Sequence, residues 1–277
     1  MRTYVITGGT DGIGRGLGLR FLDRGDRVIA VSSGEEKGRA FLREAARRNA
    51  APRAVFVRAD LSTLTGMRGA LHEVFAAAES VDGLVFGAQR FRPRREETED
   101  GFESTFALAY LSRHVLGHGL MDLLEKADSP VIMNLAGPGG LPGTVHWNDL
   151  QLHHRYTGRR AAMQSSRCND LLGAHFPTRH PEARIRYVLY NPGFVRTAMA
   201  DPLPAHWRAL TKTLALLFAQ PVSKAITPIA HLMDHPPAEP VSAFRRRTRL
   251  PLEGKAFDPA RAERLDALTA ELLAPAL

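Results

Sequence analysis

Thr7-Gly8-Gly9-Thr10-Asp11-Gly12-Ile13-Gly14 joins a short apolar run to an amphipathic one. The preceding run, Tyr4-Val5-Ile6, predicts a strand, and the apolar residues Leu17, Phe21 and Leu22 then recur at helical spacing. Glycines permit a tight turn and let backbone N–H groups approach a ligand, and the start of a helix favours negative charge. The stretch therefore predicts a turn that binds the pyrophosphate of a dinucleotide.

Apolar, β-branched runs alternate with helical patterns along the next 180 or so residues. Strict alternation of strands and helices predicts an α/β fold with a doubly wound parallel sheet in a three-layer α/β/α arrangement, the Rossmann fold. Ligands of such sheets bind outside the carboxyl ends of the strands. The predicted strands are Thr3–Thr7, Arg27–Val31, Arg53–Arg58, Gly83–Gly87, Val131–Leu135 and Arg186–Tyr190. The predicted helices are Gly14–Arg24, Glu35–Arg48, Thr65–Ala78, Thr98–Glu125 and Tyr156–Phe176.

The last third of the chain is less regular. Residues 198–220 predict a helical substrate lid, whose apolar residues predict a hydrophobic small-molecule substrate, and the same residues fit a packed helix equally well. Pro221 is expected to end that helix and Pro228 to begin another, whereas Pro236–Pro251 predicts irregular structure or a late strand. A closing helix is expected at 258–273, with Asp258 as its N-cap and Pro259 in the first helical position.

Composition excludes several classes of protein. The chain has 277 residues, 44% of them hydrophobic, which predicts one domain over residues 1–277. No run approaches the roughly 18 to 20 apolar residues that span a bilayer, so no membrane partner is expected. The first strand begins almost at once, which argues against a signal peptide, and the single Cys168 is typical of a reducing cytoplasm; a cytoplasmic location is predicted.

The net charge of +8 is carried mainly by arginine. The arginines at 92–95 are followed at once by acidic residues, a pattern typical of a solvated helix start rather than of a phosphate track, so no nucleic-acid partner is predicted. His114 and His118 lie four residues apart on one predicted helix, but the sequence offers no evident third ligand. No metal site is therefore predicted.

Several segments resemble the short-chain dehydrogenase/reductase family in order and spacing. The glycine turn has its Thr-Gly-x-x-x-Gly-Ile-Gly form, and Asp60-Leu61-Ser62 is similar to its adenine-binding segment. Gly87-Ala88-Gln89 resembles the segment beside the adenosine ribose, and the segment Asn191–Thr197 resembles the one that binds the nicotinamide end. The resemblance implies these dinucleotide-binding residues: Thr7, Gly8, Thr10, Asp11, Gly12, Ile13, Gly14, Arg15, Ser32, Ser33, Asp60, Leu61, Gly87, Ala88, Tyr156, Arg160, Pro192, Gly193, Val195 and Thr197.

The resemblance also implies a catalytic tetrad, most of which has changed. In the family a Tyr transfers a proton to the substrate oxygen, and a Lys four residues later lowers its pKa. Here Tyr156 matches the Tyr and Arg160 occupies the Lys position. Gly137 stands in place of the Ser after the fifth strand, and Ala109 in place of the Asn on the long helix. Tyr156 is predicted to act as the general acid/base with Arg160 as its electrostatic partner.

The end of the second strand predicts which dinucleotide binds. Family members that prefer NAD place an Asp there to accept the ribose hydroxyls. This chain has Ser32 and Ser33 instead, with Arg15 and Lys37 nearby, so a 2′-phosphate would meet hydroxyl and basic groups. NADP(H) is therefore predicted in preference to NAD(H).

Three functions agree with these observations. The first is an NADP(H)-dependent oxidoreductase acting on a hydrophobic carbonyl metabolite that is conjugated or otherwise activated. The second is a non-redox step on the same fold, such as cyclisation, isomerisation or elimination, which needs shape more than a hydride relay. The third is a catalytically silent NADP(H)-binding protein. Family resemblance further implies a homodimer or homotetramer built on the two long helices.

Overall fold

A computed structural model describes residues 1–139, 142–195 and 219–274. The described residues form one eight-stranded sheet of order β3-β2-β1-β4-β5-β6-β7-β8, in which only β8 is antiparallel to its neighbour. The strands are β1 (Thr3–Thr7), β2 (Arg27–Ser32), β3 (Ala54–Arg58), β4 (Gly83–Phe86), β5 (Val131–Leu135), β6 (Arg186–Asn191), β7 (Val241–Arg245) and β8 (Thr248–Leu250). The predicted doubly wound sheet is confirmed, and Pro236–Pro251 contains the last two strands.

Helices cover both faces of the sheet. They are α1 (Gly12–Asp23), α2 (Glu35–Arg47), α3 (Leu64–Ala77), α4 (Ser104–Phe106), α5 (Ser112–Gly119), α6 (Met121–Leu124), α7 (Gly158–Arg179), α8 (Val222–Asp234) and α9 (Pro259–Leu273). One hydrophobic core lies beneath α1, α2 and α8, and the other beneath α3, α5, α7 and α9. None of the described helices has the length and apolar content that crossing a bilayer requires.

The predicted helix Thr98–Glu125 is wrong in its first part and interrupted in its second. Residues 98–103 contain a turn at Gly101, with φ +80°, and a bridge pairs Glu97 with Glu103. The helix begins only at α4, continues through a π-helical segment, Ala107–Leu111, and ends with α5. The arginines at 92–95 therefore precede a turn and not a helix start.

The predicted start of the closing helix is confirmed, whereas the predicted helix start at Pro228 is wrong. Asp258 caps α9 by accepting a hydrogen bond from Arg261 N at 2.9 Å, and Pro259 is the first helical residue, as predicted. Pro228 does not begin a helix but lies inside α8, where Ile226 and Ile229 pack into the core. Residues 198–218 of the predicted lid lie outside the described residues.

The predicted oligomer depends on an exposed face of α5 and α7. In the single chain every residue from 161 to 177 of α7 is buried or half-buried. The chain's own α9 packs beside this region, where the hydroxyls of Tyr110 and Thr269 lie 2.7 Å apart. This packing leaves little of that face for a second copy, and the oligomer stays a prediction.

Candidate functional site

The glycine turn lies at the carboxyl edge of the sheet, between β1 and the start of α1. Gly8 has a φ of +68°, and its N–H donates to Val31 O at 2.8 Å. A Cβ on Gly14 would lie 2.4 Å from Gly8 O, well inside van der Waals contact. Only glycine fits this approach, so the turn and the first turn of α1 present a surface of bare backbone.

Thr7 ties this turn to the loop after β4. Its Oγ1 accepts hydrogen bonds from Gly87 N at 3.1 Å and from Ala88 N at 3.2 Å. A Cβ on Gly8 would lie 2.9 Å from Ala88 N, so the two loops touch through their backbones. The structure thus brings together Thr7, Gly8, Gly14, Gly87 and Ala88, which the sequence predicted as one site.

A buried arginine holds the next two loops in place. Arg113 is 2% exposed, donates to Asn134 Oδ1, and lies 3.2 Å from Leu135 O and 3.4 Å from Ala88 O. Burial lowers the pKa of Arg113 to about 10, which leaves it charged at neutral pH. The role of Arg113 was not predictable from the sequence, because a single Arg within a predicted helix does not indicate which loops its guanidinium contacts.

The network continues from Asn134 into α7 and the π-helical segment. Asn134 Nδ2 donates to Asn169 Oδ1 at 3.0 Å and to the Tyr187 hydroxyl at 2.8 Å. Asn169 Nδ2 in turn donates to Ala109 O at 2.7 Å. The carbonyl of Ala109, the residue that the resemblance sets in place of the family's relay Asn, is thus held by a buried side chain.

The ends of β2 and β3 form the region predicted to bind the adenosine end. Ser32 and Arg58 are register partners at those ends. Arg58 Nη1 lies 2.8 Å from Glu35 Oε2, and Lys37 pairs with Asp11 at the N-cap of α1. All four charged groups are exposed, so the ion pairs are weak and can open for a ligand.

The remaining predicted cofactor residues lie along the same edge. Asp60 Oδ1 accepts from Ser62 N at 2.9 Å, which closes a turn after β3, and Leu61 is buried. Beyond β6, Gly193 has a φ of +74° and its N–H donates to Asn191 Oδ1 at 2.9 Å. Val195 pairs with Gln220 across a bridge, and Thr197 lies outside the described residues.

Tyr156 does not have the surroundings of a general acid/base. It precedes Thr157, the N-cap of α7, and so lies outside the helix that it was expected to open. Its hydroxyl lies 3.1 Å from Arg92 O and 3.3 Å from Glu103 Oε1. Burial raises the pKa of Tyr156 to about 12, and the nearby Glu103 carboxylate adds to the rise, so the phenolate is disfavoured.

Arg160 does not act as the partner of Tyr156 either. Its Nε lies 2.8 Å from His146 Nε2, and its Nη1 lies 3.1 Å from Arg155 O. The predicted pairing of Tyr156 with Arg160 is therefore corrected. The cap at Thr157 turns the two side chains toward different neighbours, Tyr156 toward the loop at 92–105 and Arg160 toward the loop at 146–155.

Another basic residue of α7, Arg167, reaches the loop after β5. Its Nη2 donates to Gly137 O at 3.0 Å, and Gly137 is the residue that the resemblance sets in place of the family's Ser. Arg167 lies seven residues beyond Arg160, so the charged group beside this loop is not the one that the sequence predicted.

An open cavity of about 220 Å³ adjoins this part of α7. Its lining is partly apolar and partly basic and consists of Gly143, Thr144, His146, Thr157, Arg159, Arg160 and Met163. A substrate in this cavity would therefore meet the Met163 thioether and the Arg160 guanidinium rather than a phenol.

Arg167 has one acidic neighbour, the fully buried Asp170. Arg167 Nη2 approaches Asp170 Oδ2 at 2.8 Å, yet among the described residues neither carboxylate oxygen has a well-aligned hydrogen bond. Burial raises the pKa of Asp170 to about 7 against the favourable charge of Arg167. The side chain of Arg167 is 13% exposed, so its charge reaches the edge of the sheet.

Comparison with known proteins supports one family. The family model described as short chain dehydrogenase matches residues 2–152. The chain is 30% identical to polyprenol dehydrogenase of Danio rerio over 82% of its length and 72% of that protein. It is 28% identical to retinol dehydrogenase 13 of Mus musculus over 74% of its length, an alignment that spans 62% of the mouse protein.

Among solved structures, the alcohol dehydrogenase of Thermococcus sibiricus superimposes with a TM-score of 0.68. That alignment covers 92% of this chain and 98% of the archaeal one at 15% identity, which supports the fold alone. The family model and the sequence relatives identify the family. This chain belongs to the short-chain dehydrogenase/reductase family.

Proposed function

We propose that this chain binds NADP(H) and acts as an oxidoreductase on an apolar substrate whose carbonyl is already activated by conjugation. The observation that carries the proposal is a contrast within one site. At the carboxyl edge Gly8 and Gly14 form a tight backbone cradle, whereas Tyr156 and Arg160 contact other neighbours and Arg167 contacts Gly137 O. Tyr156 and Arg160 have no part in this proposal.

The residues at the carboxyl edge fit a dinucleotide. Gly8 and Gly14 leave no room for side chains, and a Cβ on Gly87 would lie 2.8 Å from Thr7 O. These contacts produce a bare backbone surface at the start of α1, where the helix dipole favours a pyrophosphate. Pro192, Gly193 and Val195 are placed to hold the nicotinamide end, where the bound cofactor would supply or accept a hydride.

The preference for NADP(H) rests on the charges beside Ser32. A carboxylate at the end of β2 would repel a 2′-phosphate, and this position is a serine. Its register partner Arg58 and the nearby Lys37 are both exposed basic groups that can pair with a phosphate. The archaeal dehydrogenase of similar fold was solved with 5-hydroxy-NADP, which agrees with this preference.

The kind of substrate follows from what α7 lacks. A positioned acid contributes about 10²- to 10⁴-fold, and an oxyanion donor such as the missing Ser about 10²- to 10³-fold. Arg167 stabilises developing negative charge but holds its proton too tightly to donate it. A conjugated substrate spreads that charge and can take its proton from water, so it depends least on the missing groups. Two relatives are named for retinol and polyprenol, both apolar alcohols, which agrees with an apolar substrate.

The test begins with binding and continues with a matched pair of substrates. Nicotinamide fluorescence of the purified chain should show saturable binding with NADPH tighter than NADH. Loss of NADPH absorbance should then be faster with a conjugated enone than with its saturated ketone analogue. Arg167→Ala should slow the enone reaction, while Arg43→Ala, an exposed arginine of α2 outside the cavity lining, serves as the control and leaves the rate unchanged. Equal rates for the two substrates would refute the proposal.

A non-redox reaction is a second candidate, favoured by the contact between Asn169 Nδ2 and Ala109 O. This hydrogen bond occupies the carbonyl of the residue that stands in place of the relay Asn. The site then has a defined shape but no side chain to pass a proton along. A product of the same mass as the substrate, formed with no change in nicotinamide absorbance, would support it. Tight NADPH binding without turnover of any substrate would instead support the silent NADP(H)-binding protein.

A further inference from the structure

Away from the carboxyl edge, two helices bring together a set of metal-binding side chains. His114 and His118 lie one turn apart on α5, with ring centroids 4.6 Å apart and rings nearly perpendicular. Asp266 reaches them from α9. One potential ligand atom from each of the three residues lies within 4.8 Å of the others. The candidate third ligand, Asp266, lies 148 residues beyond His118 in the sequence, so its proximity was not evident from the sequence.

Two nitrogens in this cluster are buried without a partner. Among the described residues, neither His114 Nδ1 nor His118 Nε2 has a hydrogen bond. His114 is 6% exposed, and its Nδ1 lies 3.8 Å from Asp266 Oδ1, too far for a hydrogen bond but facing the carboxylate. Buried polar atoms are normally paired, so nitrogens left free beside a carboxylate indicate a group that binds between them.

The other nitrogen of His118 is already oriented for ligation. His118 Nδ1 lies 2.7 Å from His180 Nε2, a contact in which one ring donates to the other. Ligating histidines commonly donate their second ring N–H to a protein acceptor, which leaves the first nitrogen free for the metal.

We propose that His114, His118 and Asp266 bind a divalent transition metal, for which Zn²⁺ is the best match, as a structural link between α5 and α9. Imidazole and carboxylate ligands suit Zn²⁺ at bond lengths of about 2.0 to 2.2 Å, which puts tetrahedral ligand atoms about 3.4 Å apart. The three ligand atoms now lie within 4.8 Å of one another, so they would have to approach by up to roughly 1.4 Å to reach that spacing. His175 Nε2, 3.7 Å from Asp266 Oδ2, is near enough to orient the carboxylate.

Arg179 is the competitor of the proposed metal. Its Nη1 contacts Asp266 at 2.7 Å from Oδ1 and 2.5 Å from Oδ2. The Arg179 side chain is 36% exposed and can turn into solvent, so a cation can replace it on the carboxylate. Removing Arg179 should therefore strengthen metal binding, an effect that a nonspecific histidine–metal contact would not produce.

The experiment uses the full chain after treatment with a chelator. Titration with Zn²⁺ should show one tight equivalent, and Co²⁺ should give the strong visible absorption of a tetrahedral site. At 100-fold excess over the dissociation constant, linkage predicts a rise in melting temperature of about 5 °C, whereas Mg²⁺ should have no effect.

Variants locate the bound ion. His118→Gln and Asp266→Asn should each remove the tight equivalent, and Arg179→Gln should lower the dissociation constant severalfold. The matched control is the exposed pair His231 and His235, also four residues apart, at the end of α8 and at its C-cap, with ring centroids 4.9 Å apart. Replacing both with Gln should leave the tight equivalent in place. Its loss in that control, or its retention in both His118→Gln and Asp266→Asn, would overturn the proposal. Should His118→Gln fail to fold, Asp266→Asn and Arg179→Gln decide alone.

Discussion

Replacing Tyr156 with Phe separates the sequence-based hypothesis from the structure. If Tyr156 were the general acid, this change would abolish turnover and leave stability almost unaltered. The structure leads to the opposite expectation, because the Tyr156 hydroxyl contacts Arg92 O and Glu103 Oε1 and not the cavity beside Met163. The substitution should therefore lower stability and spare the site.

The size of the loss follows from these contacts. A hydrogen bond to a neutral acceptor contributes about 0.5 to 1.5 kcal/mol, and one to a charged acceptor somewhat more when well formed. The bond to Arg92 O is of ordinary length at 3.1 Å, whereas the 3.3 Å approach to Glu103 is long. We expect a loss of about 1 to 2 kcal/mol in the free energy of unfolding, which corresponds to about 2 to 4 °C in melting temperature for a chain of this length.

Calorimetry and NADPH fluorescence titration on the same preparations measure both effects. Tyr156→Phe should melt a few degrees lower than the wild type and bind NADPH within about twofold of it. Met163→Leu is a control of similar burial that changes the cavity but not the loop at 92–105, and it should leave the melting temperature nearly unaltered. An unchanged melting temperature together with lost turnover in Tyr156→Phe would refute the reasoning and restore the original assignment.

Three further changes test other parts of the site. Gly14→Ala places a Cβ 2.4 Å from Gly8 O and should weaken NADPH binding at least tenfold in a fluorescence titration; unchanged affinity would contradict the cradle. Burial raises the pKa of Asp170 from 3.8 to about 7, so the wild type should lose up to about 4 kcal/mol of stability between pH 4 and pH 8. In thermal unfolding, Asp170→Asn should lose much less stability than the wild type between pH 5 and pH 8. A variant that loses as much as the wild type would refute this prediction. Asn169→Ala removes the side-chain donor to Ala109 O and one of the two acceptors of Asn134 Nδ2, and should cost about 2 to 4 kcal/mol in urea unfolding; a loss below about 1 kcal/mol would contradict the network.

Local sequence patterns were enough to predict the sheet. Each predicted strand from β1 to β6 agrees with the structure to within a residue, because a strand buried on both faces is a continuous apolar run bounded by turns. The glycine turn was equally predictable, since its φ values and close contacts leave glycine as the only residue that fits. The closing helix was predicted from Asp258 and Pro259, whose capping roles are local.

The active-site register was not predictable by the same means. Tyr156 and Arg160 have the spacing of the family's pair, but Thr157 caps α7 and places Tyr156 before the helix begins. The arginine that contacts Gly137 O is instead Arg167, two helical turns beyond Arg160. A contact between a helix face and a distant loop depends on the phase of the whole helix, which a five-residue pattern does not contain.

A buried polar network links the positions that the resemblance implies for the tetrad to the loops at the carboxyl edge of the sheet. Asn169 pairs with Ala109 O and is held by Asn134, which also accepts from the cofactor-edge residue Arg113. Restoring a Ser at Gly137 and an Asn at Ala109 would leave Asn169 on that backbone carbonyl. The groups that hold the dinucleotide loops and those that close the relay are thus one hydrogen-bonded unit. A proton path cannot be reopened in it without disturbing the contacts that position the cofactor edge.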